Sequence, residues 1–159
     1  MAGHADNAIS INAPIDLVWD ITNDVESWPR LFIEYAAVEI LERNGNTVRF
    51  RLTLHPDRQG RTWSWVCERT MFPKTRTVRA HHAPTGVFEY INILWQYEDR
   101  SDGVRMRWVQ DFRTKPSAAV DDAGMTERIN RNTAVQMQRI KDLVEKAAAE
   151  QGRMSASSR

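Results

Sequence analysis

Six stretches between residues 35 and 113 alternate apolar and polar side chains, and one long helical stretch follows them. That succession constrains the fold more than any other feature of the chain. The stretches cover residues 35–43, 47–55, 63–71, 75–82, 87–98 and 104–113. Side chains of a strand point alternately to two faces, so each stretch presents one apolar side. In the second, Val48, Phe50, Leu52 and Leu54 oppose Arg49, Arg51 and Thr53. Turn signals separate the stretches: Asn44-Gly45-Asn46, Pro56 to Gly60, Phe72-Pro73-Lys74, Pro84-Thr85-Gly86 and Ser101-Asp102-Gly103. Connections this short join antiparallel neighbours.

An antiparallel sheet with one apolar face needs a cover. The stretch opened by Asp121-Asp122, acidic at its favourable N-terminal end, is the element long enough to supply it. Its inward stripe is Met125, Ile129, Asn132 or Thr133, Gln136, Ile140, and Leu143 or Val144. Upstream, residues 8–12 read as a first strand. Ala13-Pro14 then opens a helix that ends at Asn23-Asp24, and Ser27 is placed to cap a second short helix at Trp28-Pro29. The expected class is α+β: a curved seven-stranded antiparallel sheet around a long C-terminal helix, with two short helices closing one end of an interior pocket. One domain over residues 1–150 is expected, and residues 151–159 read as a disordered polar tail.

The third stretch carries a conflict. Trp63, Trp65, Cys67, Arg69 and Met71 share a face that is apolar except for one guanidinium. An unpaired charge in a dry core costs several kcal/mol, on the order of what a whole domain can spare. Arg69 is therefore either paired or lines a cavity open to a polar guest. Gln110 raises a similar question, because it interrupts the row Val104, Met106, Trp108 and Phe112. Of the neighbours His81 and His82, His82 shares the inward parity of Val78 and Ala80. Six tryptophans, at least four of them in strand-like stretches, suit a pocket for a flat ligand as well as a core.

Composition removes several alternatives. Twenty-two basic residues against 21 acidic ones leave +1, which calls for neither nucleic acid nor an anionic membrane as the main partner. Cys67 is alone, which excludes a disulfide framework and a multi-cysteine metal site. Its apolar neighbours suggest an inert thiol. Histidine spacing offers no third metal ligand, so no metal is expected. The first residues contain no apolar signal core and no run reaches the length of a membrane span, which points to a cytoplasmic protein.

Ala13-Pro14-Ile15-Asp16-Leu17-Val18-Trp19-Asp20, followed by Asn23-Asp24-Val25-Glu26-Ser27-Trp28-Pro29, resembles the opening of the helix-grip superfamily. That group includes the birch-pollen-allergen-like proteins and the steroidogenic-acute-regulatory lipid-transfer domains. Trp63-Ser64-Trp65-Val66 with Glu68-Arg69, Val78-Arg79-Ala80, Met106-Arg107-Trp108, Asp111-Phe112 and Asn130-Arg131-Asn132 are similar to bacterial aromatic polyketide aromatase/cyclases. The single-domain tetracenomycin and spore-pigment types match best, over about residues 2–147. The resemblance implies a cofactor-free enzyme that folds a poly-β-ketone held on an acyl carrier protein. It would close the first ring by aldol condensation, between carbons nine and fourteen, and dehydrate it to an aromatic ring. The implied partners are the carrier protein and the minimal synthase, a ketosynthase with its chain length factor.

By the same resemblance, Arg69 and Tyr35 are catalytic pocket groups. Trp28, Trp65, Trp95 and Trp108 match the aromatic lining. Beside that match, Gln110, Phe32, Phe88, Met125, Ile129 and Asn132 are further expected substrate contacts. His82 stands where the family has a pocket basic residue, a departure from the pattern. An arginine stays protonated, at a pKa of roughly 12.5 or more, so Arg69 suits holding carbonyl oxygens as charge develops. Tyr35 would donate a hydrogen bond or pass a proton, with Arg69 lowering its pKa. The base is either His82 or a water- or substrate-assisted transfer. A non-catalytic carrier of a lipid or quinone is the competing reading, and it requires an essentially apolar pocket.

Overall fold

A computed structural model describes residues 2–83 and 86–157, with side chains through residue 152. Strand β1 (Gly3–Ile11) leads into α1 (Ile15–Asn23), a 3-10 turn (Val25–Ser27) and the short α2 (Trp28–Leu31). Six strands follow: β2 (Tyr35–Asn44), β3 (Thr47–Leu54), β4 (Ser64–Phe72), β5 (Thr77–His82), β6 (Phe88–Arg100) and β7 (Gly103–Thr114). The chain closes with α3 (Asp122–Ser157). All neighbours are antiparallel, in the order β1-β7-β6-β5-β4-β3-β2. Consecutive hairpins generate that order, except that β1 crosses over to pair with β7. This is the helix-grip architecture.

The alternating faces are partitioned as the pattern requires. Val48, Phe50 and Leu52 are buried on β3, Ile91, Trp95 and Tyr97 on β6, and Val104, Met106, Trp108 and Phe112 on β7. Thr133, Gln136, Met137, Ile140 and Val144 of α3 are buried as well. Leu143 falls outside this stripe and is exposed. Helix α3 is tied down at both ends of its contact. Asp122 Oδ1 accepts from the Thr114 amide at 2.7 Å and its hydroxyl at 2.9 Å, fixing the helix start to the end of β7. Further along, Lys141 Nζ donates to the Ser10 carbonyl at 2.7 Å, and Arg139 Nη2 to the Arg30 carbonyl at 2.9 Å.

Several boundaries differ from the sequence-based expectation. β1 begins at Gly3 rather than at residue 8, because its pairing with β7 runs from Gly3↔Phe112 to Ile11↔Val104 regardless of side-chain alternation. Trp63 precedes β4 and is 47% exposed, so it does not join the inward face of that strand. Ser27 makes no capping bond to α2; its hydroxyl donates to Asp24 Oδ2 at 2.6 Å instead. Helix α3 continues through Gly152 to Ser157, past the point where a disordered tail was expected. A single glycine costs about 1 kcal/mol in a helix interior, too little by itself to end a long helix. Pro84 and Thr85, expected to turn the chain after β5, lie outside the described residues.

Candidate active site

Arg69 lines a cavity of about 130 Å³ between the sheet, α2 and α3. Because β4 alternates, Cys67 and Arg69 point inward and Glu68 points out. Arg69 is only 1% exposed, yet no carboxylate pairs with it among the described residues. Its Nη2 donates to Asn23 Oδ1 at 2.6 Å, a neutral partner supplied by the end of α1. Its guanidinium carbon sits 4.1 Å from the Trp95 ring centroid and 5.1 Å from that of Trp28. Behind it, the Tyr97 hydroxyl interacts with Arg69 and lies 2.7 Å from Thr22 Oγ1. Burial lowers the guanidinium's pKa to about 10, which leaves it charged at neutral pH.

The tryptophans form a continuous wall. Trp95 stacks on Trp108 at 4.3 Å between centroids and 10° between planes. Trp28 lies between Trp95 and Tyr35, at 6.0 Å from each and nearly parallel to both. Four buried side-chain donors have no hydrogen-bond partner among the described residues, and two of them belong to residues that line this cavity: Arg69 Nε and Trp108 Nε1; a third, Trp65 Nε1, belongs to a ring packed against the cavity-lining Tyr35 and His82. The Trp65 N–H leans toward the Cys67 thiol, a weak acceptor, without making a hydrogen bond to it. A buried N–H without an acceptor costs roughly 1–3 kcal/mol. Two such donors on one cavity wall suit a guest rich in acceptors.

The structure brings Arg69, Tyr35, His82, Trp28, Trp95, Trp108, Gln110, Phe32, Ile129 and Asn132 together around the cavity. Trp65, expected among them, does not line it and instead packs behind the wall against Tyr35 and His82. Phe88 and Met125 are not among its walls. They pack with Ile91 and Phe112 in a second cluster beside it, where Phe112 lies one inward step beyond Gln110 and Ile91 is shared with the cavity wall. Asn130 also faces elsewhere; its Oδ1 accepts from Asn7 Nδ2 at 2.9 Å and braces β1 against α3.

The proton-transfer candidates sort differently than the sequence suggested. Burial is the main force pushing the Tyr35 phenol well above its ordinary value, and Glu34 adds to it; the opposing pull of Arg69 is smaller. Tyr35 is thus a neutral donor rather than an acidified phenol. Burial lowers the His82 imidazole to about 4, leaving it neutral and weakly basic while it stacks on Trp65 at 5.5 Å. Cys67 is pushed up to about 12 by burial, an inert thiol.

Sequence reasoning missed Glu34, Asn23 and Tyr97. Glu34 is the one acidic residue on the cavity wall, and its carboxylate accepts from Asn132 Nδ2 at 3.0 Å. Asn23 read only as a helix stop, and Tyr97 falls within the alternating stretch 87–98 with nothing to set it apart. Helical spacing does bring Thr133 and Gln136 to the cavity, where Gln136 Oε1 accepts from the Ile33 amide at 3.1 Å. Among the described residues, no three His, Cys, Asp or Glu side chains are grouped to hold a metal ion. None of the described helices is long and apolar enough to cross a membrane.

Residues 11–140 match the family described as polyketide cyclase / dehydrase and lipid transport. The chain belongs to that family. A protein of Streptomyces cyaneus named as a polyketide cyclase is 58% identical over 148 residues, 93% of this chain and 97% of its own length. The bifunctional cyclase/dehydratase of the actinorhodin polyketide synthase, from Streptomyces coelicolor, is 27% identical over 144 residues, 88% of this chain but 43% of that protein. Among solved structures, the Zhui aromatase/cyclase of Streptomyces sp. R1128 superposes with a TM-score of 0.79 at 20% identity, covering 92% of this chain and 95% of that one. At that identity the likeness speaks for the fold. The family membership and the polyketide cyclase relatives support an enzymatic, cyclising role.

Proposed function

We propose that this family member folds a linear poly-β-ketone held on an acyl carrier protein and closes its first ring, between carbons nine and fourteen. The closure is an aldol condensation, followed by loss of water to give an aromatic ring. The observation that carries this reading is Arg69: a fully buried cation on a cavity wall, bonded to an amide oxygen and not neutralised by a carboxylate. A carrier of apolar lipid would leave that charge and the Trp108 donor without acceptors. A poly-β-ketone offers a carbonyl oxygen at every second carbon.

The chemistry follows from placement. Arg69, itself shielded from solvent, holds a carbonyl oxygen and stabilises the enolate and alkoxide charge as it develops. Tyr35, neutral and beside Trp28, donates to the second oxygen. Trp28, Trp95 and Trp108 lie nearly parallel and favour a flat fold of the chain, hence a planar product. A cavity of about 150 Å³ can hold one benzene molecule, so about 130 Å³ admits only the ring-forming segment of a longer chain. Aldol closure and dehydration change no net oxidation state, so the reaction balances without a redox cofactor. The working context is a cytoplasmic one, beside a ketosynthase, a chain length factor and the carrier protein.

The test is reconstitution of that minimal synthase with and without this chain. The chain is expected to shift products from spontaneously cyclised shunts to one first-ring regioisomer. Identical product distributions in both reactions would refute the assignment.

A further inference from the structure

The closing reaction needs a proton acceptor, and neither group that the sequence pointed to fits well. The cavity wall of His82 holds a neutral imidazole packed on Trp65 and Phe88. Tyr35 is a donor. The same cavity wall holds a group of the right kind: the Glu34 carboxylate, next in sequence to Tyr35 and held by Asn132 of α3. Its backbone is pinned as well, since the Glu34 carbonyl accepts from the His55 amide at 3.2 Å.

We propose that Glu34 is the base of ring closure, with Tyr35 as the acid coupled to it and Arg69 as the oxyanion holder. This assignment rests on the cyclase reading above. Glu34 takes a proton from a methylene flanked by two carbonyls, and the C–H electron pair moves onto the oxygen held by Arg69. The enolate carbon bonds to the distant ketone carbon. That ketone's oxygen takes the Tyr35 proton, and the phenolate recovers one from Glu34. In the dehydration Glu34 removes the second α proton as the carbon–oxygen bond breaks; Tyr35 protonates the departing hydroxyl, giving water, and is again recharged by Glu34. Each turn of the cycle returns both residues to their starting forms.

The placement supports the relay. Tyr35 lines the same cavity as Glu34 and Arg69 and feels both charges electrostatically. Arg69 is committed to Asn23 rather than to Glu34, which keeps the carboxylate available. Burial raises the Glu34 carboxyl above the ordinary carboxylate range, opposed by the Asn132 hydrogen bond and by Tyr35, and this makes it a stronger proton acceptor than an exposed glutamate. The other titratable groups on the cavity wall are Cys67, which stays protonated, and His82, which stays neutral.

The experiment measures, in the reconstituted minimal synthase with limiting cyclase, the ratio of first-ring product to spontaneous shunt across pH 5.5–8. The ratio normalises for synthase output. Glu34→Gln is expected to lower it about 100-fold or more, with Glu34→Asp intermediate and added formate partly restoring Glu34→Ala. Asn132→Ala removes a bond that favours the ionised carboxylate, so the acidic limb of the profile should move to higher pH. Urea midpoints of all variants report folding. A wild-type ratio in Glu34→Gln overturns the base assignment, as does a loss in Glu34→Gln accompanied by equal loss in Glu34→Asp and no formate rescue, the pattern of a structural residue. If Arg69→Met also leaves the ratio at its wild-type value, the cyclase reading itself fails; if Arg69→Met abolishes it, only the role of Glu34 does.

Discussion

Replacing Arg69 with methionine separates a catalytic charge from a structural one. Burial drops the pKa of this guanidinium to about 10, a fall of roughly 2.5 that corresponds to about 3 kcal/mol at about 1.36 kcal/mol per pH unit. That is the scale of what the fold gives up to keep the charge inside. Against it stand two ring contacts, at roughly 1–2 kcal/mol each when desolvated. The hydrogen bond to Asn23 adds to them, and losing it strands an acceptor at about 1 kcal/mol or more. These magnitudes nearly cancel. Methionine has similar length and no charge, so Arg69→Met should change unfolding free energy by no more than about 2 kcal/mol. Truncating a well-packed large side chain costs up to about 5 kcal/mol by comparison. Cyclisation should meanwhile fall about 100-fold, the consequence of removing one oxyanion donor worth roughly 3 kcal/mol. Urea denaturation gives the first number and the product ratio of the reconstituted synthase gives the second. A loss of more than about 4 kcal/mol in stability, with the folded fraction still cyclising normally, would refute the reasoning and make Arg69 a core strut.

Two further outcomes test the architecture. His82 is neutral in the fold down to about pH 4, whereas in the unfolded chain it takes a proton near its ordinary value of about 6.5. Its contribution is nil at pH 7 and becomes destabilising as pH falls through that window, because the unfolded state binds the extra proton. The chain should lose about 2 kcal/mol between pH 7 and pH 5 from this group, and His82→Phe should lose correspondingly less in paired urea titrations; equal slopes would sink the claim. Gly103, at φ +130°, turns β6 into β7, and a Cβ there would meet the Ile11 carbonyl oxygen at 2.2 Å. Gly103→Ala should cost more than about 2 kcal/mol, whereas Gly45→Ala, in open space at φ +59°, should cost about 1 kcal/mol; a thermal melt that ranks them the other way contradicts the strand pairing.

The pocket residues legible in advance were those that violated a pattern. Arg69 and Gln110 interrupted apolar rows, and His82 had inward parity; a period of two is enough to place such residues on a face. Phe88 and Met125 obeyed their patterns and were assigned to the pocket, yet they pack in a neighbouring cluster. Periodicity specifies a face and not a position along it. Glu34 was illegible for a related reason: it lies at the junction of α2 and β2, where no period applies, and only its contact with Asn132 across the fold reveals its environment.

Alternation, turn chemistry and one long amphipathic run were sufficient for the sequence to determine a hairpin sheet gripping a helix, because those signals act over neighbouring residues. Which charges share a cavity is decided by segments far apart in the chain. Asn23 meets Arg69 across 46 positions and Asn132 meets Glu34 across 98. Desolvation, which sets the state of each of those groups, depends on everything packed around them, and so it belongs to the tertiary structure alone.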